Sequence, residues 1–588
     1  MNLSISFRPK LADSLRGYSS ETFFADLVAG ITVGIVALPL AMAFAIASGA
    51  KPEAGIFTAV IAGFLISALG GSKVAIGGPT GAFVVILYGI LQQYGASNLL
   101  ICTVMAGFIL LIMGFAKLGT MIKYIPYPVT VGFTSGIAIL IFSTQIKDFF
   151  GLQLSNPMPS DFIGKIQVFA MHLQLIHWPT LAVAGLSTAI IFTWPKKLAR
   201  WVPGSIVSVI VGTVLVVLFQ STLLQGVATI GSRFGGIPQA LPTLHLPEFD
   251  WHNLQNLIRP ATTIALLAAI ESLLCCVVAD GMIDDRHDSN QELIAQGLAN
   301  IFSPLFGGIA ATGAIARTAT NVKNGGRTPI AGIIHAVTLL IVILVAAPLA
   351  KYIPLATLSA VLVVVAYNMG EWHQFVRLRK WPKSDGAVFL TAFGLTVITD
   401  LTIAVEIGMV LATILFIKRI SETTQITAVD ESTETEGAHH SLIGKEVPNS
   451  VLVFRVFGAF FFGAADKLET ALQRARQDPK VLILRMRKVL AMDATGLNAL
   501  EDLHDKLRRR GKYLILSGPH TQPLLVMDKA GFLDRIGREN VCAHIDAALE
   551  RSREILGLPP SPNQALAQTQ NKIASGNVAP ALTSPNKV

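Results

Sequence analysis

The 588-residue chain is 52% hydrophobic and only 14% charged, and its mean hydropathy is +0.58. Soluble domains carry roughly a quarter charged residues, so this composition excludes an ordinary soluble protein and indicates one that crosses a membrane several times. The net charge of +9 is explained by basic loops on the cytoplasmic side of a membrane, so nucleic-acid binding is not predicted.

Residues 1–25 form a polar, basic arm without the short apolar core of a cleaved signal peptide. Residues 26–420 follow as a series of apolar runs, several of them near the roughly 20 residues that a helix needs to cross a bilayer. Counting these runs, with two short ones taken as one crossing each, predicts 14 membrane segments. The chain is therefore expected to be a multi-pass protein embedded in membrane lipid.

Lysine and arginine are divided unevenly between the alternate loops of this topology. The set of loops that includes the N-terminal arm carries 16 of them, and the other set carries 6. Because basic residues favour the cytoplasmic side of a membrane, both termini are expected in the cytoplasm.

Two of the apolar runs are short, rich in small residues and similar to one another. They are GGSKVAIGGPTGAFVVILYGI at 70–90 and GGIAATGAIARTATN at 307–321. A pair of such segments in the two halves of a chain is typical of the central binding site of a transporter. The alternative is that the small residues serve helix packing alone.

Arg317 stands in the second short segment, directly after TGAIA. Small residues leave backbone N–H groups open at the expected start of a half-helix, and such an N-terminus carries about half a positive charge. The forked guanidinium adds a full charge that suits a carboxylate or sulfate. The segment therefore predicts an anion site, with a structural salt bridge between Arg317 and Glu271 as the alternative.

Glu271 lies well inside an apolar run, in AIESLLCC. An ionised side chain at the centre of a bilayer costs at least ~2.5 kcal/mol, so this carboxyl is expected to face a cavity, pair with a cation or carry a proton. We predict that it couples transport to protons, and the alternative is a structural hydrogen bond between helices. Carboxylates at segment ends, such as Asp26, are expected to be solvated caps.

The composition changes after residue 420. Residues 421–439 form a polar, acidic segment that is predicted to be a linker, and residues 440–555 alternate between strand and helix patterns, which predicts a small α/β domain. Residues 556–588 are rich in Pro, Ser, Asn and Gln and are predicted to be a disordered tail.

Neither a metal site nor a cofactor is predicted. The four cysteines show no spacing that suits metal ligands or a disulfide framework, and they are Cys102, Cys275, Cys276 and Cys542. Because no catalytic triad or Walker-type loop emerges, an enzyme is not expected either.

At these residues the sequence resembles the sulfate permease (SulP) family of anion transporters, the solute carrier 26 family of animals. The motifs that carry the likeness are DLVAGITVGIVALPLAMAFA, GGPTGAFVVIL, YIPYPVTVGFTSGIAI, AIESLLCCVVADGM and QGLANIFSPLFGGIAATGAIARTATNVKNGGRTPIAG. The resemblance implies two inverted repeats of seven segments, a core domain that moves against a gate domain, and a cytoplasmic STAS domain. It also implies a bacterial inner-membrane location and a homodimer.

Within the family the motifs are most similar to those of proton-coupled C4-dicarboxylate transporters of the DauA type, which carry succinate, fumarate and aspartate. The resemblance implies that the substrate lies between the two short segments, walled by the first helix, and that Glu271 couples it to an ion. The substrate-binding residues are then Phe44, Thr80, Gly81, Ala82, Ala314, Ile315, Ala316 and Arg317.

Two departures from the family pattern bear on substrate and ion. Many sulfate carriers have Gln and Tyr where LAMAF places Leu40 and Phe44, which favours dicarboxylates over sulfate and leaves sulfate or bicarbonate as the alternative. Sodium-coupled bicarbonate relatives have Thr where this chain has Cys275. A thiol is a poor ligand for a hard cation, so protons are favoured over sodium.

In the C-terminal domain, MDATG resembles the regulatory loop of STAS modules and puts Thr495 at the phosphorylated position. A purely structural turn is the alternative, and a cytoplasmic protein partner for this domain is possible. Two other functions remain as alternatives. One is a nucleobase carrier, which Arg317 and the STAS loop disfavour, and the other is a membrane-anchored signalling module in which the C-terminal domain is the active part.

Overall fold

The computed structural model describes residues 7–122, 125–154, 159, 161–199, 202–244, 254–399, 401–428, 442, 445–461, 467–468, 470–472 and 478–561. The chain divides into two compact units, Met1–Ala412 and Thr413–Val588. Each unit is described by itself below.

The first unit is helical apart from two very short strands. Seven of its described stretches of helix are long and apolar enough to cross a membrane. In chain order its elements are α1 (Lys10–Ser14), α2 (Ser20–Ala47), α3 (Pro52–Leu69), β1 (Gly77–Gly78), α4 (Gly81–Phe115), α5 (Gly119–Ile122), α6 (Tyr127–Phe150), α7 (Phe162–Met171), α8 (Trp178–Thr193), α9 (Lys196–Ala199), α10 (Gly204–Phe219), α11 (Ile230–Phe234), α12 (Leu254–Ile283), α13 (Ser289–Leu305), β2 (Thr312–Gly313), α14 (Ile315–Lys323), α15 (Pro329–Ala350), α16 (Leu355–Met369), α17 (Trp372–Arg377), α18 (Lys383–Ile398) and α19 (Leu401–Thr423), within which the unit boundary falls.

Helix α4 comprises two successive membrane segments. Its backbone breaks at Gly95, where φ is 84°, a left-handed conformation that glycine adopts without a steric penalty. With α4 counted as two, the described helices fall into two sets of seven, as predicted, and seven of the described stretches are long and apolar enough to cross a membrane by themselves. The two sets are α2, α3, both parts of α4, α6, α8 and α10, followed by α12, α13, α14, α15, α16, α18 and α19.

Strands β1 and β2 occupy corresponding places in the two sets of seven, each just before the third helix. They pair antiparallel, with Gly77 opposite Gly313 and Gly78 opposite Thr312, and the Ala314 N–H donates to the Ile76 carbonyl at 2.8 Å. This pairing joins the two short segments that the sequence singled out. It therefore brings the starts of α4 and α14 to one place.

Polar side chains form hydrogen bonds with the backbone on either side of the paired strands. The Asn300 side chain of α13 makes two 2.9 Å hydrogen bonds to the backbone of Ala311, one to its N–H and one to its carbonyl. The Asn321 amide donates to the Val74 carbonyl at 2.9 Å. Backbone groups that flat strands would leave unpaired inside a membrane are thereby satisfied.

Asp26 differs from the expectation of a solvated cap. It is fully buried, and it accepts hydrogen bonds from the Thr328 hydroxyl at 2.5 Å and from the Arg327 and Thr328 N–H groups at 2.8 and 3.2 Å. The Tyr18 hydroxyl donates to it as well, at 3.0 Å. The start of α2 thus satisfies backbone donors at the start of α15, a helix 302 residues away.

Glycines allow α2 and α15 to pack closely. A Cβ atom built on Gly30 would lie 2.5 Å from the Ala331 carbonyl oxygen, and one built on Gly34 would lie 2.8 Å from Thr338 Cβ. Small residues at such contacts let membrane helices approach until their backbones nearly touch.

The second unit contains a five-stranded sheet, which agrees with the predicted α/β domain. The strands are β3 (Gln425–Ala428), β4 (Val451–Phe457), β5 (Val481–Lys488), β6 (Tyr513–Ser517) and β7 (Val541–Cys542), and the helices are α20 (Ala494–Arg509), α21 (Thr521–Lys529), α22 (Phe532–Ile536) and α23 (Ile545–Leu556). The sheet order follows the chain order, with β3–β4 antiparallel and the other neighbours parallel. Apolar side chains of the strands and of α20 and α22 form its core.

Residues 421–439, predicted as a linker, include strand β3. The isolated stretch QITA is too short to predict a strand, and it forms one because it completes the edge of the sheet beside β4. Parts of the predicted α/β domain, and residues 562–588 of the predicted tail, lie outside the described residues.

We expect Asn300→Leu to lower the free energy of unfolding by ~2–4 kcal/mol, because it leaves both backbone groups of buried Ala311 without their partners. The measurement is thermal unfolding of the purified protein in detergent. Asn98→Leu is the matched control, since the one hydrogen bond of Asn98 within the described chain goes to the Tyr94 carbonyl on its own helix. Equal losses in the two variants would contradict the assigned role of Asn300.

Candidate functional site

Two helix N-termini face the paired strands. Helix α4 begins at Gly81 after Thr80, and α14 begins at Ile315 after Ala314. Among the described residues, no side chain caps either end. The free N–H groups of both first turns therefore carry partial positive charge toward the same region.

Arg317 is the third residue of α14, and its side chain is almost wholly buried, with 3% exposed. Its guanidinium nitrogen Nη2 donates to the Pro79 carbonyl at 2.5 Å. A Cβ atom built on Gly78, whose φ is 144°, would lie 2.6 Å from Nη1. The positive group of the second short segment thus reaches across to the backbone of the first.

Glu271 lies on α12 and contacts Thr80, the residue that follows Pro79. The Thr80 hydroxyl donates to Glu271 Oε2 at 3.0 Å. Within the part of the chain that the structure describes, no ion pair joins Glu271 to Arg317. The two charged groups therefore bind adjacent residues, Pro79 and Thr80, and their expected alternative, a direct salt bridge, does not form here.

Apolar side chains lie against the start of α4. A Cβ atom built on Gly81 would lie 3.3 Å from Phe44 Cε1, 3.0 Å from Ile141 Cδ1 and 3.7 Å from Met369 Sδ. These groups come from α2, α6 and α16. A side chain at position 81 would require Ile141 and Phe44 to shift by a few tenths of an ångström, so glycine suits the narrow space beside the helix end.

The structure thus brings most of the predicted site residues together. Phe44, Thr80, Gly81 and Arg317 surround the paired strands. Ala82 and Ala314 are buried in the same two helix starts, whereas Ile315 and Ala316 are exposed on the first turn of α14. No described contact shows Ile315 or Ala316 touching another member of the group.

Sequence reasoning missed Pro79, Ile141 and Met369. Pro79 precedes Thr80 in the sequence and could have been included in the predicted site. A proline offers one hydrogen-bonding group, its carbonyl, and here that carbonyl accepts from Arg317. Ile141 and Met369 belong to apolar helices far along the chain, and no local motif marks them.

Cys275 lies one turn after Glu271 and faces α14. Its thiol is 3.2 Å from the Thr318 hydroxyl, and that hydroxyl accepts a hydrogen bond from the Ile76 N–H at 2.9 Å. The thiol is thereby engaged with a structural hydroxyl. In the residues described, no group of three or more His, Cys, Asp or Glu side chains could hold a metal ion.

In the second unit, Thr495 is exposed in the first turn of α20. Asp493 precedes that helix and accepts a hydrogen bond from the Gly496 N–H at 2.7 Å. A Cβ atom built on Gly496 would lie 2.0 Å from the Phe460 carbonyl oxygen. The tight turn therefore has a structural basis, and it presents the threonine hydroxyl to solvent.

Comparison with known proteins gives two family matches. The sulfate permease family model matches residues 23–392, and the STAS domain model matches residues 443–548. These ranges cover the helical unit and the five-stranded unit in turn.

The relatives found by sequence are transporters by name. The putative sulfate transporter YvdB of Bacillus subtilis is 42% identical over 538 residues, covering 91% of this chain and 99% of the relative. The bicarbonate transporter BicA of Picosynechococcus is 31% identical and covers 91% of this chain and 95% of the relative. Their names support an anion transporter, and they do not carry the expected likeness to dicarboxylate carriers.

Solved structures agree with the fold. The transmembrane domain of a cyanobacterial bicarbonate transporter BicA is 32% identical, has a TM-score of 0.58, and covers 67% of this chain and 98% of its own. Murine Slc26a9 in the inward-facing state has a TM-score of 0.81 at 19% identity, covering 93% of this chain and 95% of its own. The second likeness shows that the helical and C-terminal units share that fold.

We expect Gly78→Ala to lower the free energy of unfolding by more than ~1 kcal/mol, because residue 78 has φ 144° and an added methyl would displace the Arg317 guanidinium. Gly89→Ala, in open space on α4, should leave stability equal or higher. Thermal unfolding in detergent measures both, and equal stability of the two variants would contradict the described packing.

Proposed function

The chain belongs to the sulfate permease family, and on that premise we propose that it is a secondary-active transporter of a small inorganic oxoanion. One observation carries the proposal. Two uncapped helix N-termini and the buried Arg317 guanidinium converge on a single pair of strands. Partial positive charges and forked donors held in this way suit an anion with several oxygen acceptors.

Sulfate and bicarbonate are the proposed substrates, because the relatives named above carry those words in their names. Phe44 and Leu40 replace polar partners that many sulfate carriers have, so C4-dicarboxylates are kept as the alternative. The site would hold the anion between Thr80 and Gly81 on one side and Ala314 and Arg317 on the other.

We propose that Glu271 takes part in proton coupling. It is half-buried, and its one described hydrogen bond comes from Thr80. Withdrawing a carboxylate from water without a cation costs free energy that proton uptake removes. Thr80 also stands at the start of α4, so a change in the charge of Glu271 acts directly on the anion site. The engaged thiol of Cys275 supports protons over sodium.

The same proposal extends to the setting of the protein. We place it in the bacterial inner membrane with both termini in the cytoplasm, from the uneven division of lysine and arginine, and as a homodimer, from the family resemblance. Exposed Thr495 is proposed as a regulatory site, because a phosphate on the first turn of α20 would be stabilised by the helix N-terminus.

Uptake into proteoliposomes tests the substrate. Radiolabelled sulfate, bicarbonate and succinate are compared, and for sulfate and succinate a pH gradient, acid outside, is imposed. We expect saturable uptake of sulfate or bicarbonate that falls at least about tenfold in Arg317→Ala, since a charged hydrogen-bonding partner of the anion is removed.

Lys323→Ala is the matched control, because Lys323 is an exposed cation on the last turn of the same helix. It should keep normal uptake. Succinate uptake without sulfate or bicarbonate uptake would replace the proposed substrate with a dicarboxylate, and uptake of none of the three would refute the proposed transport. Equal losses in both variants would remove Arg317 from the site.

Glu271→Gln should abolish pH-driven accumulation while exchange of labelled for unlabelled anion survives, because glutamine keeps a hydrogen-bonding group but cannot titrate. The ratio of accumulation to exchange is the measurement. Glu406→Gln provides the control, since Glu406 is an exposed carboxylate on α19. Full accumulation in Glu271→Gln, or its loss in Glu406→Gln alone, would contradict coupling at Glu271.

A further inference from the structure

A cavity lies at one end of α6, α8 and α16, on the side that the distribution of basic residues predicts to face away from the cytoplasm. Its volume is about 220 Å³, and all of its lining residues are described. Those that matter here are Lys147, Asp148, Thr180, Arg233, Leu355 and Ala356. We call it the outer cavity, and it shares no residue with the site around Arg317.

The charges of the outer cavity do not balance. Arg233 pairs with Asp148, Nη1 to Oδ1, at 2.7 Å. Lys147 also lines the cavity, and within the described residues no carboxylate lies within 4.0 Å of its ammonium group. Two cations and one carboxylate therefore leave a net positive charge beside the empty volume.

Two helix N-termini add to this positive charge. Leu355 and Ala356 are the first two residues of α16, and Thr180 is the third residue of α8. Within the described chain, neither helix has a side-chain cap. The Leu355 N–H donates to the Ala228 carbonyl at 3.0 Å, and Pro179 of α8 has no N–H. The backbone N–H groups that the two first turns offer beside the cavity are therefore those of Ala356 and Thr180.

The outer cavity also has negative groups, which are the carbonyl end of α6 and the Asp148 carboxylate, and the positive groups must exceed them for an anion to bind. Helix α6 ends at the cavity, with its last turn closed by the Leu152 N–H on the Lys147 carbonyl at 2.9 Å, so its carbonyl end carries partial negative charge. Asp148 is already paired with Arg233. Lys147 stands beside the end of α6, and its full positive charge exceeds the roughly half negative charge of that helix end, so a positive excess remains together with the two helix N-termini.

We propose that the outer cavity binds a small inorganic oxoanion, in a site separate from the central one. Lys147 supplies the charge, Arg233 contributes while paired with Asp148, and the starts of α8 and α16 supply N–H donors from other directions. An oxoanion offers several acceptor oxygens to such a set, which a monatomic ion does not. Helices α6 and α16 also carry Ile141 and Met369, so an anion bound here holds the ends of two helices that wall the central site.

Sulfate binding to the full-length protein in detergent tests this proposal. Its midpoint of thermal unfolding is followed as sulfate replaces gluconate at constant ionic strength, in the low millimolar range, because concentrated sulfate stabilises proteins in general. The titration is made in an Arg317→Ala background, which removes the central guanidinium. We expect a saturable rise, and Lys147→Gln should raise the half-saturating concentration about tenfold, which corresponds to ~1.4 kcal/mol.

Two further variants sharpen the result. Lys351→Gln is the matched control, because Lys351 is an exposed lysine that does not line the cavity, and it should leave the titration unchanged. Asp148→Asn removes the only carboxylate of the cavity lining and should lower the half-saturating concentration, so it tests the proposal in the opposite direction if Lys147→Gln does not fold.

The proposal is overturned by any of three outcomes: no saturable rise, the same titration with and without Lys147, or an equal loss in Lys351→Gln. Because binding is measured and not uptake, its failure leaves the proposed transport function untouched. Likewise, loss of transport in Arg317→Ala with sulfate binding retained at the outer cavity would support two separate sites.

Discussion

The antiparallel pairing of β1 with β2 is the interaction on which the rest of the membrane unit depends. Four residues take part, with Gly77 and Gly78 opposite Gly313 and Thr312. Inside a membrane such a short sheet is tolerated only where protein surrounds it, because no water is present to satisfy its backbone. Asn300 and Asn321 supply the missing partners. Once the strands pair, the first turns of α4 and α14 must face a common region, and their partial charges add without any further device.

The two ionisable side chains beside this pairing, Arg317 and Glu271, bond to different residues. Arg317 donates to Pro79 and Glu271 accepts from Thr80, so opposite charges hold neighbouring residues and do not neutralise one another. Among the described residues, the Arg317 guanidinium bonds to the Pro79 carbonyl alone, so it keeps its full charge and further donors. In the same part of the chain, the Glu271 carboxyl accepts one hydrogen bond, from Thr80, and forms no ion pair. The backbone of Pro79 and Thr80 therefore connects the two groups.

Local patterns predicted much of this. The length of the apolar runs and the two short segments predicted 14 crossings and a central site, because both features depend on neighbours in sequence. Arg317 was identified by its contrast with the small residues around it. Its partner Pro79 lies 238 residues away, and such a contact has no local signature. The same holds for Ile141 and Met369, which are ordinary apolar residues until the helices assemble. Strand β3 was not predicted for a related reason, since only pairing with the neighbouring β4 makes the four residues QITA a sheet edge.

Buried Asp26 has a consequence for how the protein is made. Its carboxylate sits at the start of the first membrane helix, and the groups that satisfy it, apart from Tyr18, belong to Arg327 and Thr328. Ribosomes deliver the chain from the N-terminus, so α2 enters the membrane long before those partners exist. During that interval Tyr18 is the one described partner of Asp26 on the segment already made. The full set of hydrogen bonds at this carboxylate therefore forms only when the start of α15 joins α2, which links the second half of the membrane unit to the first.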